Sequence, residues 1–463
     1  MTKHYDKEWL QGKNIIVLGL AKSGLAVSKL LVAAGAHVIV NDQKPEEELV
    51  GVEELKKLGI PIIAGYHPDD LIHTGVDLIV KNPGIPYTSA PVQSAIALDI
   101  PVITEIELAH DWSRAPIVGI TGSNGKTTTT TLVGLILEAA GKDPIVAGNI
   151  GTVLCEQAGT ARPEQIMVAE LSSFQLKGTI HFRPAIGCLL NITPAHLDYH
   201  QTWDDYIKSK GRLFVNMKEQ DIAVFNADNS GCLEVADKVQ CQKYWFSRLM
   251  EVDQGCFVKN DAIYYRGEDG LEEEIIQIGQ IGIPGAHNLE NALASTVICK
   301  SLGVKADTIR EVLTHFKGVE HRLEFVAEID GVKYYNNSKA TNSEATLKAL
   351  ESFRSPIVLI AGGLDRGFDF VELIPSVKKG VKGIVAYGQT KEKFISIGER
   401  AGLKLLTAVD NVNEAVIQAS RMADSGDIVL LSPACASWDM YQSFEERGSI
   451  FKESVHKLRT SLH

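Results

Sequence analysis

The stretch TGSNGKTTTT, residues 121–130, holds the side chains best suited to chemistry, and it follows an apolar run, APIVGI (115–120). The backbone N–H groups of a glycine-rich turn can converge on phosphate oxygens. A helix that follows adds its unpaired N–H groups and the positive end of its dipole. Gly122 and Gly125 frame the turn, Lys126 supplies positive charge near the outer phosphates, and Thr127 or Thr128 offers a hydroxyl near Mg2+. The spacing departs from the strict phosphate-loop pattern, because Ile120 stands where the first glycine would be. The plainer alternative is a strand–helix turn that happens to contain Gly-Lys-Thr.

A second glycine turn, VLGLAKSGLA (17–26), lies about 100 residues earlier. It has Gly19 and Gly24 but lacks G-x-G-x-x-G. Asp42 ends the next apolar run, HVIVND, where dinucleotide folds place a ribose-reading acid. KNPGIP (81–86) sets Asn82 and Gly84 at another strand end over the same cleft. Without the full fingerprint, a nucleoside diphosphate is favoured over NAD, with purely structural glycines as the alternative.

Two further residues could hold a metal. Glu170 ends IMVAE, ahead of Ser172, Ser173 and Gln175; His196 follows CLLNITPA, ahead of Asp198. A carboxylate and an imidazole at strand ends near a phosphate loop suit Mg2+ held jointly with phosphates and water. Either residue alone would read as a cap or a surface group. YIKSKGRLF (206–214) reads by pattern as a solvated basic helix face.

These residues need elements to position them. NIIVLGL (14–20), HVIVND (37–42) and VDLIVKNPGIP (76–86) read as strands, with GLAVSKLLVAAG (24–35) and GVEELKKLG (51–59) as helices between them. The alternation predicts a parallel sheet covered on both faces. A second unit opens with strand–loop–helix at 115–141. It continues with strands in QIMVAELSSFQL (165–176), AIGCLLNITPAHLD (185–198) and DIAVFNADN (221–229), a strand-rich stretch at 241–284, and a helix at 286–303. A third unit begins near 319, with strands in SPIVLIAGGLDRG (355–367), VKGIVAYGQ (381–389) and GDIVLLSPACASWD (426–439). The expected fold is α/β in three domains: a Rossmann-like domain at 1–104, a central P-loop ATPase-type domain with a mostly parallel sheet at 105–318, and a second Rossmann-like domain at 319–463.

Bulk properties narrow the function classes. The 463 residues exceed what one core serves, and 45% hydrophobic with 22% charged residues is ordinary for a globular protein. A net charge of −12 and the lack of a Lys/Arg run disfavour nucleic acid as a partner. Seven cysteines, none in C-x-x-C, predict reduced thiols without disulfides or structural zinc. MTKHYDKEWLQGKN lacks the apolar core of a signal peptide, and no apolar run approaches the roughly 18 residues of a membrane helix. A cytoplasmic protein without membrane insertion is expected.

The combination TGSNGKTT, ELSSFQL, NITPAHLDYH, YIKSK, GAHNLENALA, HRLE, NSKATN and LSPACASWDMYQSFEERG resembles the Mur ligases, ATP-dependent amide-forming enzymes of peptidoglycan precursor synthesis. The resemblance spans essentially the whole chain in family order. The last stretch, with GLAKSG at the start, is similar to the D-glutamate-adding branch. It implies addition of D-glutamate to UDP-N-acetylmuramoyl-L-alanine through an acyl phosphate, by a monomer using ATP and two Mg2+ ions. It assigns ATP to Gly122, Ser123, Asn124, Gly125, Lys126, Thr127, Thr128, Asn288, Asn291, Arg322, Asn337 and Lys339. The uridine-linked substrate falls to Gly19, Lys22, Ser23, Gly24, Asp42, Asn82, Gly84 and Asn149, and D-glutamate to Thr341, Arg366, Ser437 and Phe444. Metal ligation is implied for Thr127, Glu170, His196 and Lys210, the last as an N-carbamate formed with CO2; Lys126, His196, Lys210 and Arg322 carry the catalytic roles. Two positions depart from many relatives: Asn337 replaces an aspartate before SKATN, and Arg366 replaces a lysine. Folylpolyglutamate synthase shares the loop and the chemistry but lacks the additional N-terminal unit. A partner-driving ATPase and an NAD-dependent dehydrogenase are the other readings.

Overall fold

The computed structural model describes residues 5–194 and 196–460. It divides into two compact units, Met1–Gln280 with Glu290–Leu313, and Ile281–Leu289 with Thr314–His463. The first unit contains two sheets and the second contains one.

The first sheet has five strands: β1 (Asn14–Leu18), β2 (His37–Asp42), β3 (Ile62–Ala64), β4 (Leu78–Lys81) and β5 (Val102–Ile103). Their order is β3-β2-β1-β4-β5, and all the pairs are parallel. β4 is buried along its whole length, as a parallel strand covered on both faces should be. The chain leaves β1 for β2 on one side and returns to β4 on the other. The carboxyl ends of β1 and β4 therefore flank a crevice where open α/β sheets bind ligands.

The second sheet comprises β6 (Ile117–Thr121), β7 (Pro144–Gly148), β8 (Ile166–Glu170), β9 (Ile186–Leu189), β10 (Ile222–Asn226), β11 (Gln242–Ser247), β12 (Gly255–Lys259), β13 (Ala262–Arg266) and β14 (Glu272–Gln277). The order is β14-β13-β12-β11-β10-β9-β6-β8-β7, antiparallel only at the β12–β13 and β13–β14 pairs. The strand predicted within 165–176 stops at Glu170. Ser173–Lys177 is helical because Ser172 and Gln175 form a capping box. The strand within 185–198 stops at Leu189, which leaves His196 on the segment beyond it.

Two buried carboxylates fasten these sheets together. Glu107 accepts backbone N–H bonds from Ile180 (2.9 Å), His181 (2.6 Å) and Phe182 (3.1 Å). Glu105 accepts from the Cys155 N–H at 3.1 Å and from the Gln175 amide at 3.4 Å. Burial pushes the Glu105 carboxyl up to about 7 from 4.5, so its favourable contribution is complete below the unfolded value and is lost as pH rises through about 7. Glu105→Gln keeps an acceptor for Cys155 and removes the titration. Its melting temperature is expected to gain on the wild type's as pH is raised from about 5 to about 8, by the equivalent of roughly 3 kcal/mol at most. A difference that stays flat with pH would contradict this account of Glu105.

The second unit holds β15 (Glu324–Ile329), β16 (Val332–Asn336), β17 (Ile357–Gly362), β18 (Val381–Tyr387), β19 (Leu405–Ala408) and β20 (Ile428–Leu431), in the order β15-β16-β20-β17-β18-β19. Only β15 runs antiparallel; it joins β16 through Asp330-Gly331, both at positive φ. This hairpin was not anticipated, although Asp-Gly between alternating residues is a strong turn signal. The seven cysteines are buried free thiols.

Candidate active site

The phosphate loop sits at the carboxyl end of β6, between β8 and β9. Gly125 adopts φ +82 as the residue before helix Lys126–Ala139, and a Cβ there would run into Asn291 Oδ1. That position therefore needs glycine on two grounds, conformation and space. Asn291 also receives the Thr129 hydroxyl at 3.3 Å, so it braces the first turn. Asn191, just past β9, locks the loop by accepting from Asn124 N–H at 2.9 Å and donating to Asn124 O at 3.2 Å. Ser123 Oγ lies 2.8 Å from the Tyr206 hydroxyl and accepts from Thr193 N–H at 2.9 Å. Lys126 folds its ammonium over the loop, onto Gly122 O (2.9 Å) and Ser123 O (3.1 Å). The helix dipole and this ammonium place positive charge at one point, as anion binding requires. Thr127 and Thr128 are buried in the first helical turn.

Lys210 reaches the same loop from helix Trp203–Gly211. Its ammonium donates to Gly122 O at 2.8 Å and faces the Tyr206 ring at 4.8 Å. The residue is 1% exposed. Burial, and after it the nearby Lys126 charge, pull its pKa well below the ordinary lysine value. YIKSKGRLF is thus no solvated face at Lys210, and the helix period alone could not show this.

Glu170 is buried at the end of β8 and accepts from the Asn149 amide at 2.8 Å; its other oxygen, Oε2, has no hydrogen-bond partner. Asn149, assigned above to the uridine-linked substrate, thus contacts Glu170. His196 is exposed at φ +56, with its ring 5.0 Å from Phe174 and 6.4 Å from Tyr206. Among the described residues no group of three or more His, Cys, Asp or Glu could hold a metal. Glu170 still fits a cation, because an orphaned buried carboxylate oxygen needs one more partner. His200 ties this region together. Its Nδ1 donates to Asp205 at 2.9 Å, so its Nε2 accepts from Ser173 at 3.0 Å. Ser173 is buried, which makes this triad-like set a brace among three helices, Ser173–Lys177, Leu197–His200 and Trp203–Gly211, rather than a nucleophile.

The earlier glycine turn assembles as expected at the ends of β1, β2 and β4. Gly19 has φ +90, and a Cβ there would lie 2.8 Å from that of Asn82. Asn82 donates to Ser23 Oγ at 3.2 Å and accepts from Gly84 N–H at 3.1 Å. Lys22, Ser23 and Gly24 open helix Lys22–Ala33. Asp42 buttresses the turn, accepting from Leu20 N–H at 2.7 Å and Lys44 N–H at 2.9 Å.

In the second unit, Asn337 is held at both ends of its amide. It donates to Ser432 Oγ at 3.1 Å and accepts from Leu323 N–H at 3.2 Å. Lys339 faces the Phe444 ring at 5.4 Å, and Thr341 follows one turn on, its N–H bonded to Lys339 O at 2.9 Å. Ser437 is buried beyond β20, and Arg366 lies over the Trp438 ring at 5.1 Å. Arg322 follows His321, which is at φ +62. Asn288 belongs to this unit and donates to Pro284 O at 2.6 Å, whereas Asn291 belongs to the first. Sequence reasoning overlooked Asn191, Lys81 and Arg447; for the last two, a charge inside an apolar or motif run was the available signal.

Three α/β domains with mostly parallel sheets, a phosphate loop and a buried lysine beside it define a nucleotide-dependent enzyme. The chain belongs to the Mur ligase family: residues 13–104 match the MurD-like N-terminal domain, 120–299 the Mur ligase middle domain, and 321–435 the Mur ligase glutamate ligase domain. It is 50% identical over 450 residues to UDP-N-acetylmuramoylalanine--D-glutamate ligase of Geobacillus kaustophilus, covering 97% of this chain and 98% of that one. The enzyme of the same name from Bacillus cereus is 49% identical over 448 residues, with the same coverage. In fold it is similar to MurF of Acinetobacter baumannii (TM-score 0.58, 16% identity, 97% of this chain and 92% of that one). It is likewise similar to the UDP-N-acetylmuramate-alanine ligase MurC of Thermotoga maritima (TM-score 0.56, 19% identity, 97% and 99%).

Proposed function

We propose that this chain is an ATP-dependent ligase that joins D-glutamate to UDP-N-acetylmuramoyl-L-alanine in cytoplasmic peptidoglycan precursor synthesis, acting as a monomer. The observation that carries the reading is the 50% identity to a relative of that name along 97% of the chain. The residue geometry supports it, since the two glycine turns lie at the carboxyl ends of strands in separate sheets. In this reading residues 1–104 bind the uridine-linked substrate, 105–318 bind ATP, and 319–463 bring D-glutamate and complete the ATP site.

The L-alanyl carboxylate is a poor electrophile and must first be activated: its oxygen attacks the γ-phosphorus of ATP, the bond from that phosphorus to the β,γ-bridging oxygen breaks, ADP leaves, and the carboxylate becomes an acyl phosphate. The D-glutamate amine then attacks the acyl carbon, and phosphate leaves. Lys126 and Arg322 stabilise charge on the transferring group. Glu170, His196, Thr127 and a carbamate on Lys210 are the residues that would hold two Mg2+ ions. When bound, these supply Lewis-acid stabilisation of phosphate charge. Asn288, Asn291, Asn337 and Lys339 hold the nucleotide; Thr341, Arg366, Ser437 and Phe444 hold D-glutamate. The Arg366 guanidinium suits a carboxylate through its planar fork.

The test is phosphate release from ATP. It is expected to require the uridine-linked L-alanine substrate and D-glutamate together. Release driven by a folate with L-glutamate, or release needing neither acceptor, would replace this reading.

A further inference from the structure

β4 is apolar except for its last residue, Lys81, which is 1% exposed. Its three N–H groups face four oxygens within hydrogen-bond distance: Ile85 O at 2.8 Å, Pro83 O at 3.1 Å, Asn82 O at 3.2 Å and the Tyr199 hydroxyl at 3.2 Å. The Asn82–Ile85 turn, closed by Ile85 N–H to Asn82 O at 3.0 Å, is wrapped around this one cation. Two of its three carbonyls precede prolines, Pro83 and Pro86, so their peptide units have no N–H of their own to anchor them. Tyr199 lies on the helix Leu197–His200, after the second sheet's β9, and its hydroxyl also contacts Pro83 O (3.0 Å) and Ile85 O (3.2 Å). Lys81 therefore spans the first sheet's crevice and the segment that carries His196.

No carboxylate pairs with Lys81 among the described residues. Its other neighbours are the Tyr87 ring at 5.0 Å, the Tyr199 ring at 5.9 Å, and Lys177, itself paired with Asp205 at 2.6 Å. Burial, followed by repulsion from Lys177, lowers its pKa to about 7. A buried ammonium without a carboxylate carries a desolvation cost that hydrogen bonds to carbonyls offset only in part. What the cation adds is alignment of the turn that carries Asn82 and Gly84.

We infer that Lys81 is a positioning residue for the sugar-nucleotide substrate: its ammonium shapes the Asn82–Ile85 turn under the diphosphate and pins it to the central lobe through Tyr199. The inference rests on the function proposed above and deepens it by naming what sets affinity for one of the three substrates.

Lys81→Met tests it. The KM for UDP-N-acetylmuramoyl-L-alanine is expected to rise about tenfold or more, with kcat and the KM for ATP and D-glutamate within about twofold. The melting temperature is expected to change little: Asn82 O keeps the Ile85 N–H, and Pro83 O and Ile85 O keep the Tyr199 hydroxyl between them, so the donor lost is offset by the desolvation recovered. Tyr199→Phe, which keeps the ring, is expected to give a smaller rise of about threefold in the same constant, and it decides the matter if Lys81→Met does not fold. Calorimetric titration with uridine diphosphate repeats the comparison without turnover. Wild-type protein that binds this ligand but forms no amide would count against the proposed reaction and leave the Lys81 comparison intact. A folded variant with unchanged sugar-nucleotide KM and unchanged uridine diphosphate affinity would overturn the inference. So would equal losses for all three substrates.

Discussion

Lys210→Ala is expected to reduce acceptor-dependent phosphate release by about a thousandfold, with the protein still folded. The wild-type amine lies 2.8 Å from Gly122 O, walled off from solvent and close to Lys126. Only an unprotonated amine can attack CO2, and burial together with the Lys126 charge favours that form. The carbamate formed would be an anion, and the same Lys126 charge would then stabilise it. An alanine leaves a space as long as the missing side chain, with the loop's positive charge unanswered. Formate or acetate is therefore expected to restore part of the rate, whereas methylamine is not. Rescue by methylamine instead would show that the site needs a cation, and the carbamate proposal would fall. More than a tenth of wild-type activity in the variant without additives would remove Lys210 from the catalytic set.

The parallel strands that were legible, among them β1, β2, β4, β6, β8, β9, β10, β17, β18 and β20, are apolar runs that lead into glycine or polar residues, and β2 matches its predicted bounds, 37–42; β3, β5, β7 and β19 are short or edge strands that were not anticipated. The loops at their carboxyl ends were legible for the same reason, so Gly122–Lys126, Gly19–Gly24 and Glu170 lie where the pattern put them. What escaped was set by tertiary packing. The helix period around Lys210 looks like a solvated face, and only the fold turns that residue inward onto Gly122. Asn191 matters because β9 lies next to β6, a fact of sheet order that no local window contains. The β15–β16 hairpin is a different kind of miss. Its Asp330-Gly331 turn was readable, but the flanking strands, EFVAEI and VKYYN, carry charged and polar residues where the parallel strands have continuous apolar runs. The division between the Asn288 and Asn291 surroundings also escaped, because one continuous helix, Ala286–Ser301, crosses from one compact unit to the other.

Arg447→Met is expected to lower the stability of the second unit by about 2–4 kcal/mol and to raise the KM for D-glutamate more than about tenfold. Arg447 is fully buried. Its guanidinium donates to Ser338 Oγ at 2.9 Å, Ser338 O at 2.7 Å and Cys435 O at 3.1 Å, and the Ser338 hydroxyl in turn donates a hydrogen bond to Phe444 O at 2.8 Å. Removing a buried charge recovers some desolvation energy, which by itself would favour methionine. Here the partners are backbone carbonyls and a hydroxyl that stay behind, and each stranded acceptor costs about 1–3 kcal/mol, so the loss outweighs the gain. Function follows from where those acceptors lie. Ser338 precedes Lys339, Cys435 lies two residues before Ser437, and Phe444 begins the last helix. One planar fork thus sets the relative position of the loops assigned to D-glutamate. Arg447→Lys keeps the charge but not the fork, since a single ammonium cannot span Ser338 and Cys435 at those distances, and it is expected to recover stability only in part. Thermal unfolding and the KM for each substrate check both effects. A methionine variant that melts with the wild type and binds D-glutamate as well would show that the loops hold their places without the guanidinium.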